Sequence, residues 1–205
     1  MSEKRLKMIF NGCCFLYTLV LIYAFIINFQ GKYFGMCFVS CLTPWIIPCI
    51  IKILKIKVPT EVYIINILFV FCASLWGSCL GGYALLYFDK FVHFASGIIM
   101  CEIAYIIYKY YLKDEQKLAF MCMFINGLNA LVAVLWEFYE YALYIFFRYD
   151  AIRQNTTGVH DTMTDLLVAI IGGILLTCYL VHYDRDHKDH FFVSLQRKFY
   201  LLNQK

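Results

Sequence analysis

Charge is scarce in this chain. Only 16% of its 205 residues are Asp, Glu, Lys or Arg, while 62% are hydrophobic and 19% aromatic. A typical soluble domain carries roughly 25% charged residues. The deficit excludes a soluble globular domain, a disordered chain and a basic nucleic-acid binder. Metal-knuckle and disulfide patterns are also missing. The ten cysteines form no C-x-x-C pair and all lie in apolar runs, so they read as small packing residues. Strict alternation of apolar and polar residues is absent too, which excludes a transmembrane barrel. No A-x-A cleavage pattern follows the first apolar run, Ile9 to Asn28. That run is long for a signal-peptide core, and it is expected to be a retained first helix.

What the chain has instead is six long apolar runs, at about 9–28, 33–51, 62–80, 89–111, 118–147 and 161–182. Each is long enough to cross a bilayer as a helix. The expected fold is all-α, a polytopic bundle of about six transmembrane helices. It forms one domain over 1–182, followed by a tail over 183–205. Lys32, Lys90, Arg148 and Arg153 fall on one side of the spans and the other fourteen Lys and Arg on the opposite side, alternating with every span. This bias predicts that both termini are cytoplasmic and that three short loops face outward. The lipid bilayer is therefore the expected partner, and nucleic acid is not.

Helix two contains Pro44 and Pro48, each of which removes a backbone donor and favours a kink. Helix three carries Ala73, Gly77 and Gly81 at four-residue spacing, a ladder that permits close helix packing. The tail is polar from His182 onward. His187 and His190 are metal-capable by residue type, but a solvated stretch accounts for them. Beyond it, Phe191, Leu195, Phe199 and Leu202 share a helical face, which predicts a short amphipathic helix on the inner membrane surface.

Ionisable groups inside membrane spans are costly and mark functional sites by default. The first three spans have essentially none. Helix four opens with Asp89 and His93, four apart on one face. Helix five ends with Glu137 and Glu140, and Asn126 and Asn129 fall near the same stripe. Helix six opens with His160, Asp161 and Asp165, with Gly172 further along the same face. The alternation of spans brings all of these acids to the outer boundary. Five carboxylates cannot all stay ionised without a proton, a metal ion or a cationic substrate. Asp89, His93, Glu137, Glu140 and Asp165 are the candidate catalytic residues. The same five are the candidate ligands of a divalent ion such as Zn, Mg or Mn. Asp161 is expected to cap helix six, with His160 and Asn129 in support. Glu102 lies deeper, and a hydrogen bond to Asn126 or a proton relay would each account for it.

Three readings follow. One is a membrane-embedded, metal-dependent hydrolase acting on a lipid or lipid-linked headgroup near the outer leaflet. Another is a small proton- or cation-coupled transporter. The last is a structural or regulatory membrane protein with no site of its own. Carriers built from repeated halves show matching broken helices. Here helix two is interrupted by proline and helix five is not, and the acids occupy one half.

The stretch Phe88-Asp89-Lys90-Phe91-Val92-His93-Phe94 through Gly97, the Glu-Phe-Tyr-Glu at 137–140, and Asp161-Thr162-x-x-Asp165-Leu166 followed by Gly172 together resemble the YjdF-like family of bacterial inner-membrane proteins. More distantly they resemble VanZ-like proteins, which share a D-K-x-x-H helix start. The similarity covers about residues 80–180. It implies a multi-pass protein of the bacterial inner membrane without an established activity. It also implies that Asp89, His93, Glu137, Glu140, Asp161 and Asp165 belong together.

Overall fold

Helices follow the apolar runs closely in a computed structural model of the protein, which describes residues 2–112, 117–151, 153–186 and 190–204. They are α1 (Glu3–Ile27), α2 (Phe34–Leu54), α3 (Thr60–Val70), α4 (Phe88–Leu112), α5 (Leu118–Phe147), α6 (Val159–Asp186) and α7 (Phe191–Asn203). No strand occurs among the described residues. Six helical stretches are long and apolar enough to cross a membrane, counting α3 together with its continuation to Cys79. Their outward faces carry exposed side chains such as Phe15, Ile22, Leu42, Trp45, Leu131 and Phe138, as expected where lipid is the solvent. The protein is an all-α membrane protein. The chain divides into two compact units, Met1–Val92 with Arg197–Lys205, and His93–Gln196.

In the first unit, α1 and α3 run parallel and α2 runs against them. Thr60 Oγ1, at the start of α3, donates to Glu3 Oε1 at the start of α1 (2.6 Å). Asn28 Nδ2, just past the end of α1, donates to the Cys79 carbonyl (3.0 Å). Tyr17, Ala24, Cys37, Ile67, Val70, Leu75 and Cys79 form the core.

The two prolines leave α2 unbroken, and the reason lies in its neighbours. Pro44 cannot donate to the Ser40 carbonyl four residues back, and Pro48 cannot donate to that of Pro44. In hydrocarbon both acceptors need another partner. The Tyr17 hydroxyl of α1 donates to the Ser40 carbonyl (2.6 Å), and Asn66 Nδ2 of α3 donates to the Pro44 carbonyl (3.0 Å).

α3 does not continue as expected. From Phe71 to Cys79 it widens into a π-helix, a rare form that leaves carbonyls to be satisfied differently. The Ala73 carbonyl accepts from the Tyr83 hydroxyl (2.8 Å). Gly77 makes room for that tyrosine, because a Cβ there would stand 2.6 Å from the Tyr83 ring. The expected ladder of small residues therefore serves a following turn of the same chain. Gly81 ends the segment in the left-handed region at φ 79°, where glycine is favoured.

In the second unit, α4, α5 and α6 share a core of Cys101, Ala104, Tyr105, Tyr108, Met121, Ile125, Leu176 and Leu180, joined by Val193 of α7. α7 is the helix expected in the tail, but it turns a different face inward. Val193, Leu195 and Phe199 are buried, while Phe191 and Leu202 are exposed. Its last turns are tied to the first unit. Lys198 pairs with Glu61, and Asn203 Nδ2 donates to the Lys57 carbonyl.

Candidate functional site

The site is built on a close crossing of α4 and α6. A Cβ on Gly97 would stand 1.9 Å from the Ala169 carbonyl oxygen, and one on Gly172 would stand 2.3 Å from that of Phe94. The contacts are reciprocal, so the two glycines face one another and the backbones touch, as small residues permit in membranes. Asn129 of α5 completes the junction. It is buried and donates from Nδ2 to the same Ala169 carbonyl (3.0 Å). Gly173 leaves space for it, since a Cβ there would stand 2.4 Å from Asn129 Nδ2 and 2.7 Å from Cys101 Sγ.

This crossing fixes a register. Asp165 precedes Gly172 by seven residues, and position 90 precedes Gly97 by the same number, about two turns in each case. The helices are parallel, so Asp165 comes level with the stretch between Asp89 and His93. His93 Nε2 lies 3.7 Å from Asp165 Oδ1, and both residues are buried. The unit boundary falls between Val92 and His93, but Asp89 sits one turn before His93 on the same unbroken helix, and α4 itself holds it there. Ligand atoms of Asp89, His93 and Asp165 all lie within 4.8 Å of one another. Bonds of about 2.0–2.2 Å to a tetrahedral zinc ion separate its ligands by about 3.3–3.6 Å. The His93–Asp165 separation of 3.7 Å is near that range.

The remaining predicted residues stand on the same three helices, α4, α5 and α6. Glu137 is buried on α5, and Glu140 Oε1 accepts from Trp136 Nε1 on the same helix (2.9 Å). Neither belongs to the trio, which is the sole such group among the described residues. Asp161 is the third residue of α6 rather than its cap. It sits in the first turn, where a carboxylate favours the helix dipole, and its Oδ2 lies 3.6 Å from Arg153 Nε. Asp89 is the second residue of α4, and its Oδ2 lies 3.3 Å from Lys90 Nζ. His160 is exposed. The expected Glu102–Asn126 hydrogen bond does not form. Asn126 Nδ2 donates instead to the Cys122 carbonyl (2.9 Å) and to Thr177 Oγ1 (2.8 Å). His187 of the tail lies outside the described residues.

Sequence reasoning passed over one polar cluster. In the first unit Ser40 Oγ lies 2.7 Å from Ser74 Oγ and 3.1 Å from Cys79 Sγ, with Ser40 fully buried. A signal was present, because Ser40 is the residue whose carbonyl Pro44 orphans.

Arranged this way, α4 and α6 offer two carboxylates and one imidazole as ligands near the start of two membrane spans, with further carboxylates on α5 and α6. Such a set can hold a hard or borderline divalent ion and leave positions open for water or a substrate oxygen.

The family described as "Predicted membrane protein (DUF2238)" matches residues 10–186. The chain belongs to this family, the YjdF-like membrane proteins. The VanZ-like likeness rests on the shared helix start alone. No curated protein and no solved structure matches the chain.

Proposed function

We propose that this family member is a membrane-embedded, metal-dependent hydrolase acting on a lipid or lipid-linked headgroup. Asp89, His93 and Asp165 are its metal ligands. The observation that carries this reading is the trio itself: three ligand atoms within 4.8 Å of one another, with Asp165 1% and His93 7% exposed. Three protein ligands are the number that catalytic zinc sites use, the fourth position being left to water or substrate. A bound divalent ion there supplies a Lewis acid and lowers the pKa of a coordinated water.

The substrate class follows from location. Asp89 lies in the first turn of α4 and Asp165 in the second turn of α6, near the apolar boundary where headgroups sit. The orientation expected from Lys and Arg assigns that boundary to the outer leaflet. In the hydrolysis, water adds its OH to the phosphorus or carbonyl carbon and its proton to the departing oxygen. That proton is assigned to Glu137, the buried acid of α5. Arg153 and Lys90 hold Asp161 and Asp89 in place and supply positive charge for an anionic headgroup.

Metal analysis of the detergent-purified protein tests this reading. One divalent ion per chain is expected, lost in Asp165→Asn and kept in Glu137→Gln. Wild-type protein that binds no ion and gains no stability from added Zn, Mg or Mn overturns it. Cation-driven uptake into liposomes without hydrolysis would favour the carrier reading instead.

A further inference from the structure

Glu102 stands apart from the acids at the helix starts. It follows Asp89 by thirteen residues on α4, about 20 Å at 1.5 Å per residue. It is only 5% exposed, and neither carboxyl oxygen has a hydrogen-bond partner among the described residues. Asn126, the amide best suited to serve it, is engaged with Cys122 and Thr177. An ionised carboxylate buried without a donor is strongly disfavoured. The neutral acid costs far less, although its hydrogen bonds stay unmade. Packing gives no reason to keep a carboxyl there, since an apolar side chain would fill the same volume without that cost.

Protonatable groups of the surrounding core reach the exposed His190. Cys101 is the neighbour of Glu102 along α4, and Tyr179 of α6 packs against the core that contains Cys101. The Tyr179 ring is 5.4 Å from that of His190, and the Tyr183 ring is 6.0 Å from it. His190 is exposed. The same core also contains Tyr105 and Tyr108 of α4 and Cys122 of α5. Lys109 closes this end of α4, its Nζ 5.9 Å from the Tyr105 ring centroid. All of these residues belong to the second unit.

We propose that Glu102 is a proton-binding site inside the second unit, exchanging its proton with water at the α6–α7 end by way of Tyr179 and His190. Loading places one proton on the carboxylate and cancels its charge, and unloading returns that proton to water. The metal trio takes no part, so this site stands or falls independently of the hydrolase reading.

Infrared spectroscopy of the protein reconstituted in phosphatidylcholine vesicles tests the proposal. A protonated-carboxyl band is expected in the wild type, absent in Glu102→Gln and retained in Asp165→Asn. Raising the pH should bleach it, and Tyr179→Phe should slow the bleaching several-fold. A spectrum unchanged by Glu102→Gln, or a band that pH does not move, overturns the site. An unchanged rate in Tyr179→Phe overturns the route. A measurement on the wild type alone supports the variants: a hydrophobic carbodiimide adds across its C=N bond to a neutral carboxylic acid, with nothing leaving. Peptide mapping should locate that adduct on Glu102, and its absence there counts against the proposal.

Discussion

The two units solve the same problem with different side chains. Each sets two parallel helices beside an antiparallel one, and each buries polar groups among apolar ones. In the first unit those groups are hydroxyls, thiols and amides, and the backbone irregularities explain them. Tyr17 and Asn66 serve carbonyls orphaned by Pro44 and Pro48, Tyr83 serves the π-helical turn, and Asn28 serves the Cys79 carbonyl at its end. In the second unit the buried polar groups include carboxylates and an imidazole. Asn129 repeats the backbone-serving pattern there, and His93, Glu102 and Asp165 add buried ionisable groups to it. The difference teaches where to look for chemistry. Polar groups that complete a backbone are structural, and ionisable groups in excess of that need are candidates for function.

Metal should separate the units most sharply. At a hundredfold excess over its dissociation constant, a ligand that binds only the folded state stabilises it by about 2.7 kcal/mol. Thermal unfolding in detergent should show a gain of that order with the correct ion. Asp165→Asn should abolish the gain and Ser40→Ala should keep it. Loss of the gain in both variants would erase the distinction.

The α4–α6 crossing comes next. Gly97→Ala should destabilise the protein by roughly 2 kcal/mol, as overpacking does, because its Cβ meets backbone that cannot turn aside. It should also lower metal content by shifting Asp165 against His93. Gly12→Ala in α1 is the matched control, since its Cβ meets nothing within 4 Å. Equal melting temperatures for the two would show that the crossing is looser than described.

A smaller effect is expected from Asn66→Leu. It removes the donor that serves the Pro44 carbonyl, at about 1 kcal/mol for an interhelical hydrogen bond in a membrane, and metal content should not change. The smallest belongs to Lys198→Ala. Its pair with Glu61 leaves the lysine side chain 46% exposed, so screening holds the loss to a few tenths of a kcal/mol, about what surface pairs contribute. A loss of several kcal/mol in unfolding experiments would mean that α7 anchors the first unit more firmly than this pair implies.

The spans were legible in the sequence because a helix in lipid satisfies its own backbone, so apolar length alone reveals it. Asp89 and His93 were legible as a pair because four residues return to the same face. Other features depended on contacts between helices, which local periodicity does not encode. The π-helical turn at Phe71–Cys79 is settled by Tyr83 of the turn that follows it and by Asn28, distant from it along the chain. The inward face of α7 is chosen by Val193 joining the α4–α6 core. Asn126 bonds Thr177 rather than Glu102 because α6 comes close to α5 at Gly173.

Read along the chain alone, this is an all-α membrane protein with six long apolar helices, and its acids gather at the starts of α4 and α6 and the end of α5. Apolar length and the four-residue repeat of a helix suffice for that. Which acids meet depends on how the helices pack. Gly97 and Gly172 let two backbones touch, and that contact sets a register in which Asp165 joins Asp89 and His93 while Glu137 and Glu140 remain outside the trio.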